Sequence, residues 1–152
     1  MQIIQYVTEE VARQGWDISL SEGWMRVGWM LSAWEYATEK KKVSSLPSVD
    51  DLLYIAKMIE PDNNLDGFRH VSVWVGNHTP PDAREIPRLI AQLWSVGILI
   101  LTPSEFYREF ELIHPFIDGN GRTGKIIYNW INSSLYDPIL PEGWEQWGFA
   151  IP

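Results

Sequence analysis

The segment His114-Pro115-Phe116-Ile117-Asp118-Gly119-Asn120-Gly121-Arg122-Thr123-Gly124-Lys125 gathers more chemistry than any other stretch of the chain. Gly119 and Gly121 flank Asn120 where a helix begins, so backbone N–H groups there are free to converge on an anion. Asp118 sets a hard oxygen ligand beside that anion, the arrangement magnesium prefers with phosphates. Arg122 and Lys125 stand three apart on the emerging helix, share a face, and can both reach a polyphosphate. His114 ends the preceding helix and, with an ordinary pKa of about 6.5, is suited to taking a proton. Base, metal ligand, anion cradle and cations together describe phosphoryl or nucleotidyl transfer.

These residues must be held by the elements around them. Ser19-Leu20-Ser21-Glu22 has the spacing of a capping box and opens a long helix, with Val27, Met30, Leu31 and Trp34 on its apolar face. That helix ends in Lys40-Lys41-Lys42, where cations complement the macrodipole. Ser48 caps a second helix bearing Leu52, Ile55, Ala56 and Ile59, and Pro61 with its Asp/Asn neighbours stops it. Residues 68–75 alternate and are β-branched and aromatic, so they read as the one strand-like segment, part of a small hairpin. A helix follows with Ile86, Leu89, Ile90 and Leu93, and residues 96–101 read as a buried connection. Thr102-Pro103-Ser104-Glu105 is a second capping box, and its helix carries Phe106, Phe110 and Ile113 up to His114. The final helix runs from about 121 to 135, and the tail from Pro138 is Trp-rich and expected on the surface. The pattern is a mostly α, single-domain bundle with one hairpin.

Composition narrows the function. A net charge of −8 leaves no basic face for nucleic acid, though a local anion site for a nucleotide remains open. Cysteine is absent, so neither disulfides nor thiolate metal sites enter. No apolar run approaches membrane-spanning length and the first residues lack signal-peptide features, so a cytoplasmic setting is expected. A P-loop is the nearest rival for the glycine-rich segment. Gly119-x-x-x-x-Gly124-Lys125 fits it, but Ile126 stands where its Ser or Thr belongs, and the segment follows a helix rather than a strand.

The whole segment closely resembles the signature of the Fic (Fic/Doc) family, His-Pro-Phe-x-Asp/Glu-Gly-Asn-Gly-Arg-x-x-Arg, with Lys125 in place of the final arginine. Residues 68–76, followed by Pro80-Pro81 and a helix, resemble that family's flap, so the likeness covers roughly 48–135. It divides the chain into an N-terminal helical region over 1–47, a core over 48–135, and a tail over 136–152. The resemblance implies protein adenylyl transfer, in which AMP moves from ATP to a Ser, Thr or Tyr hydroxyl of a target protein and pyrophosphate leaves with Mg²⁺. His114 resembles the general base, Asp118 the Mg²⁺ ligand, and Gly119, Asn120 and Gly121 the anion nest. Arg122 resembles a phosphate contact, and Lys125 occupies the position that holds the terminal phosphate. Val71, Ser72, Val73, Trp74 and Val75 would align the target by main-chain pairing.

Other readings stand beside this one. Asp118 can act as a helix cap, Arg122 can serve structure, Lys125 can be a solvated helix residue, and His70 and His78 read as structural or exposed. Lys125 also admits a different donor, transferring phosphate, UMP or phosphocholine, and a silent Fic-fold binding module is the non-enzyme alternative. Many members carry an inhibitory Ser/Thr-x-x-x-Glu-Gly/Asn helix whose glutamate pairs with the final arginine. Neither Glu22-Gly23 nor Glu142-Gly143 fits it, because Ile18 and Pro138 stand four residues before. A separate antitoxin-like chain is therefore the expected regulator. Delivery of the protein into a host cytoplasm is compatible with such a role.

Overall fold

The computed structural model describes residues 1–143. Its helices are α1 (Ile3–Arg13), α2 (Ser21–Lys41), α3 (Val49–Ile59), α4 (Ile86–Gln92), α5 (Ile98–Ile100), α6 (Pro103–Ile113) and α7 (Asn120–Ile131). The long α2 is the spine, and α1, α3 and α7 all pack on it while α6 lies against α7. Met30, Ala33, Trp34 and Ala37 of α2 meet Ile126, Ile127 and Trp130 of α7 in the core. Burying two indoles leaves two N–H donors to satisfy. Trp34 Nε1 donates to the Leu135 carbonyl at 2.9 Å, and Trp130 Nε1 donates to the Ser44 and Ser45 carbonyls at 3.2 Å. The lysine run at the end of α2 does more than offset a dipole. Lys41 Nζ donates to the Trp130 carbonyl at 2.9 Å, capping α7 from a neighbouring helix.

The three capping predictions meet different outcomes. Ser48 and Thr102 form complete capping boxes with Asp51 and Glu105. At α2 the cap residue is Leu20, which has no side-chain bond to give, and Ser19 instead donates through N and Oγ to Asp17 Oδ1. An aspartate two residues upstream captures the serine in an Asx-type turn before it can reach the helix.

Three more expectations change. The strand over residues 68–75 shrinks to one antiparallel bridge, Val75 with His78, around Gly76 and Asn77. No second strand faces it among the described residues, and its backbone groups are engaged elsewhere: Arg69 N–H donates to the Pro115 carbonyl at 2.9 Å, and the Val71 carbonyl accepts from the Arg69 guanidinium. Residues 96–101 are not a buried connection. A π turn over Leu93–Gly97 carries α4 into α5, leaving Val96, Leu99 and Ile100 exposed. The last helix begins at Asn120 and stops at Ile131, with Ser133 in the left-handed region just beyond. Of the tail, Leu140 packs on the core and Glu142 N–H donates to Ser104 Oγ; Trp144 and Trp147 lie outside the described residues. No helix among the described residues is long and apolar enough to cross a membrane.

Candidate active site

His114 terminates α6 with φ 49° and ψ 64°, its N–H donating to the Phe110 carbonyl at 3.0 Å. Pro115 disfavours the right-handed helical region for the residue before it, so the helix must end here. The left-handed turn is unusual for a residue with a side chain, and buried Arg69 secures it. Arg69 donates Nε to the His114 carbonyl at 2.7 Å and Nη2 to those of Ile113 and Pro81, at 3.2 and 2.7 Å. With Nη1 on Val71 at 2.8 Å, one guanidinium ties the flap to the histidine turn.

Asn120 closes the loop after it. Its Oδ1 accepts the Phe116 N–H and its Nδ2 donates to the Phe116 carbonyl, both at 2.9 Å. The asparagine side chain is thus a clasp, and only its backbone N–H is left to the expected nest. Gly119 precedes α7 at φ 73°, and a Cβ there would meet Ile59 Cγ2 at 2.6 Å, so both conformation and space require glycine. The first-turn N–H groups of α7 have no acceptor within the helix, which is the property an anion site needs.

His114, Asp118, Gly119, Asn120 and Gly121 line one cavity of about 330 Å³. Its other walls are Trp74, Val75 and Gly76 of the flap, Glu111 of α6, and Gln14, Gly15 and Trp16 after α1. Val71, Ser72 and Val73 lie outside that lining; Val71 and Trp74 are exposed and Val75 is buried. Burial lowers the His114 imidazole to about 4, helped by the charges of Arg69 and His78 and opposed by Asp118. It is therefore neutral at pH 7, with Nδ1 buried and the Glu111 backbone beside the ring. His78 Nε2 is bonded to the Leu112 carbonyl at 2.9 Å, and His70 is exposed.

Asp118 Oδ1 accepts the Gly119 N–H at 2.7 Å, one residue short of a helix-capping contact. Its carboxylate is 40% exposed and stands beside the free N–H groups. No group of three or more potential ligands exists among the described residues. A single carboxylate next to a phosphate site fits Mg²⁺ that arrives with its nucleotide, since that ion keeps water and phosphate as most of its ligands.

The two expected phosphate cations do not reach the cavity wall. Arg122 is buried, with Nη2 3.1 Å from Glu60 Oε1 and 3.6 Å from Asp118 Oδ1. Glu60 is gripped in turn by Arg26, which stacks 3.4 Å over the Trp16 ring. Lys125 is wholly buried, donating to Glu10 Oε2 at 2.7 Å and Tyr107 OH at 3.1 Å. The reason is rotational: on α7 its face is turned towards α1 and α6, so it is neither a cavity residue nor a solvated one. Glu10 also accepts from Arg13 and from Gln14 Nε2, and the Gln14 amide sits against Gly121. A glutamate thus pairs with the signature's last position after all. Motif spacing led only to Glu22 and Glu142, whereas Glu10 lies on a helix the sequence reading left unassigned.

The Fic/DOC family model matches residues 46–131, more than half of the chain. This chain belongs to the Fic/DOC family. It is 39% identical over 82 residues to a protein adenylyltransferase Fic of Drosophila persimilis and 37% identical to that of Drosophila erecta. The matches cover 48% of this chain but only 16% and 17% of those relatives. The fold resembles that of Fic-1 from C. elegans, with a TM-score of 0.66 at 20% identity, covering 90% of this chain and 50% of that one. A second structure of Fic-1 gives a TM-score of 0.59. The family's signature loop is the segment that builds the cavity, and the flap is its opposite rim.

The sequence reading missed Glu111, Arg69 and the α1 terminus. Glu111 had a signal: it falls one turn after Tyr107 and three residues before His114 on a helix whose neighbours are apolar. A carboxylate there must be buried or must face a cavity.

Proposed function

We propose that this Fic domain transfers AMP from ATP to a hydroxyl of a target protein and releases pyrophosphate. The observation that carries the reading is the single cavity shared by a neutral imidazole, the Asp118 carboxylate and an open helix N-terminus. His114 takes the proton of the attacking Ser, Thr or Tyr hydroxyl, whose oxygen bonds to the α-phosphorus as the bond to the β-phosphate oxygen breaks. The α7 N–H groups hold the phosphates in line, and Asp118 would hold Mg²⁺, which would supply positive charge to the polyphosphate. Val75 N–H and C=O close the flap on His78, while exposed Val71 and Trp74 offer the target an apolar edge. The adenylyltransferase relatives support the donor, as only that chemistry is in their names.

Incubation with α-labelled or γ-labelled ATP, Mg²⁺ and a cell lysate tests the assignment. Protein-bound α label supports it; γ label alone means phosphate transfer, and no label with either means a silent binding module.

A second reading concerns control. Gln14 against Gly121 and Glu10 on Lys125 support α1 as a built-in brake on the nest. Deleting α1 would remove Tyr6, Val7 and Val11 from the core, so the informative change is Gln14→Ala. Faster transfer by this variant supports the brake; an unchanged rate favours an antitoxin-like partner chain.

A further inference from the structure

Glu111 is the group in the cavity that the reaction above does not use. It is 3% exposed, lines the cavity with His114, and its Oε1 is buried without a hydrogen-bond partner. Nearly every buried side-chain oxygen finds a donor, so an orphan on a residue that lines a ligand chamber marks a place for a ligand atom. The charged and titratable groups around it are Glu10 from α1, Lys125 from α7, and Tyr107 and His114 from its own helix. Lys125 is the cation whose charge acts on it, and that ammonium also sits 2.7 Å from Glu10. Tyr107 supplies a hydrogen bond to the carboxyl.

The same chamber is lined by Asp118, Gly119 and the first-turn residues Asn120 and Gly121 of α7, whose N–H groups have no acceptor within the helix. If the reacting phosphate lies beside His114, the rest of a polyphosphate must extend past it along the chamber. Glu111, three residues before His114 on α6, lines that same space, as does Asp118. An ionised carboxylate there would repel the phosphates, whereas a carboxylic acid would donate a hydrogen bond to them.

We propose that Glu111 meets the terminal phosphates of the donor as a neutral carboxylic acid, so that donor binding takes up one proton from solvent at this residue. The inference rests on the polyphosphate reading of the nest. Burial, with the Glu10 charge adding and Lys125 opposing, already lifts the free carboxyl to about 7, so the acid form is accessible near neutrality. His114, lowered to about 4, stays neutral over the same range and adds no proton of its own.

The test is calorimetric titration of the full chain with Mg²⁺ and α,β-methylene-ATP, which cannot lose AMP, at pH 6 and 8 in buffers of different ionisation enthalpy. Wild type should lose about tenfold more affinity than Glu111→Gln between these pH values, and at pH 8 should take up about one proton more. The comparison with the variant cancels the titration of the nucleotide itself. AMP, which lacks the terminal phosphates, should show no such difference. Equal pH dependence in both proteins, or the same difference with AMP, overturns the role of Glu111 alone. Absence of binding at either pH removes the nucleotide reading and this inference together. Should Glu111→Gln not fold, the carboxyl ¹³C titration of Glu111 in wild type replaces it; a midpoint that does not rise on nucleotide addition also overturns the proposal.

Discussion

Glu111 makes the fold itself sensitive to pH in a way that needs no ligand. Its carboxyl rises from an ordinary 4.5 to about 7 because burial strips its charged form of water. Between those values the folded chain holds a proton that the unfolded chain has released, so stability falls as pH rises through the window. A rise of that size corresponds to roughly 3 kcal/mol, absent below pH 4.5 and fully expressed above about 7. Glu111→Gln cannot ionise and escapes that penalty. Urea unfolding at pH 4.5 and pH 8 should therefore show the variant gaining roughly 3 kcal/mol on wild type between the two conditions. Any constant cost of the amide cancels in the comparison. His114 works in the opposite sense: lowered from 6.5 to about 4, it stabilises the fold above 6.5 and loses that contribution as pH falls through 4. The two slopes oppose each other between about 4.5 and 6.5, so wild type hides both and each single variant uncovers the other. A Glu111→Gln advantage that is the same at both pH values would refute the buried-acid reasoning.

His114→Ala should abolish transfer, by about two to four orders of magnitude, while leaving nucleotide affinity nearly intact, because the base acts on the incoming hydroxyl; transfer near the wild-type rate rejects the role. Asp118→Ala should weaken Mg·ATP binding as well as rate, and calorimetry showing both unchanged removes it from the site. Lys125→Ala should act on the fold, costing about 3–5 kcal/mol by stranding the buried Glu10 carboxylate; equal urea midpoints would show that the pair does not hold α1 in place. Gln14→Ala should raise donor affinity, read by calorimetry, while losing one hydrogen bond to buried Glu10 lowers thermal stability less than Lys125→Ala does, and a weaker donor complex would mean that Gln14 is a ligand contact.

The signature loop and its two flanking helices were legible because short-range rules govern them. His-Pro ends a helix, a Thr-x-x-Glu box starts one, and glycines open a helix N-terminus to anions. The misses share another cause, which is that the deciding partner is distant in sequence. The face of α7 that carries Lys125 is chosen by Glu10, 115 residues away, and the hairpin fails as a sheet because Arg69 draws its carbonyl towards the histidine turn. Lys125 at helical spacing from Arg122 was compatible with both a phosphate contact and a buried pair. Only the position of α1 separates them.

That division has a consequence for how the cavity attracts an anion. Among the described residues its walls hold no arginine or lysine, but they do hold Asp118 and Glu111. Arg122 and Arg26 are turned onto Glu60, Lys125 onto Glu10, and Arg69 onto four carbonyl oxygens. On a chain of net charge −8, a polyphosphate entering this chamber meets two carboxyl groups and an uncharged imidazole. The remaining attraction is the α7 N-terminus, worth about 0.3–2 kcal/mol for a helix end, too little to hold several negative charges in a confined site. On the proposed function charge balance would come with the ligand, as a divalent ion on Asp118, and from solvent, as a proton on Glu111. The chamber would then select a metal-bound polyphosphate over a bare anion of the same shape, since only the former brings its own positive charge.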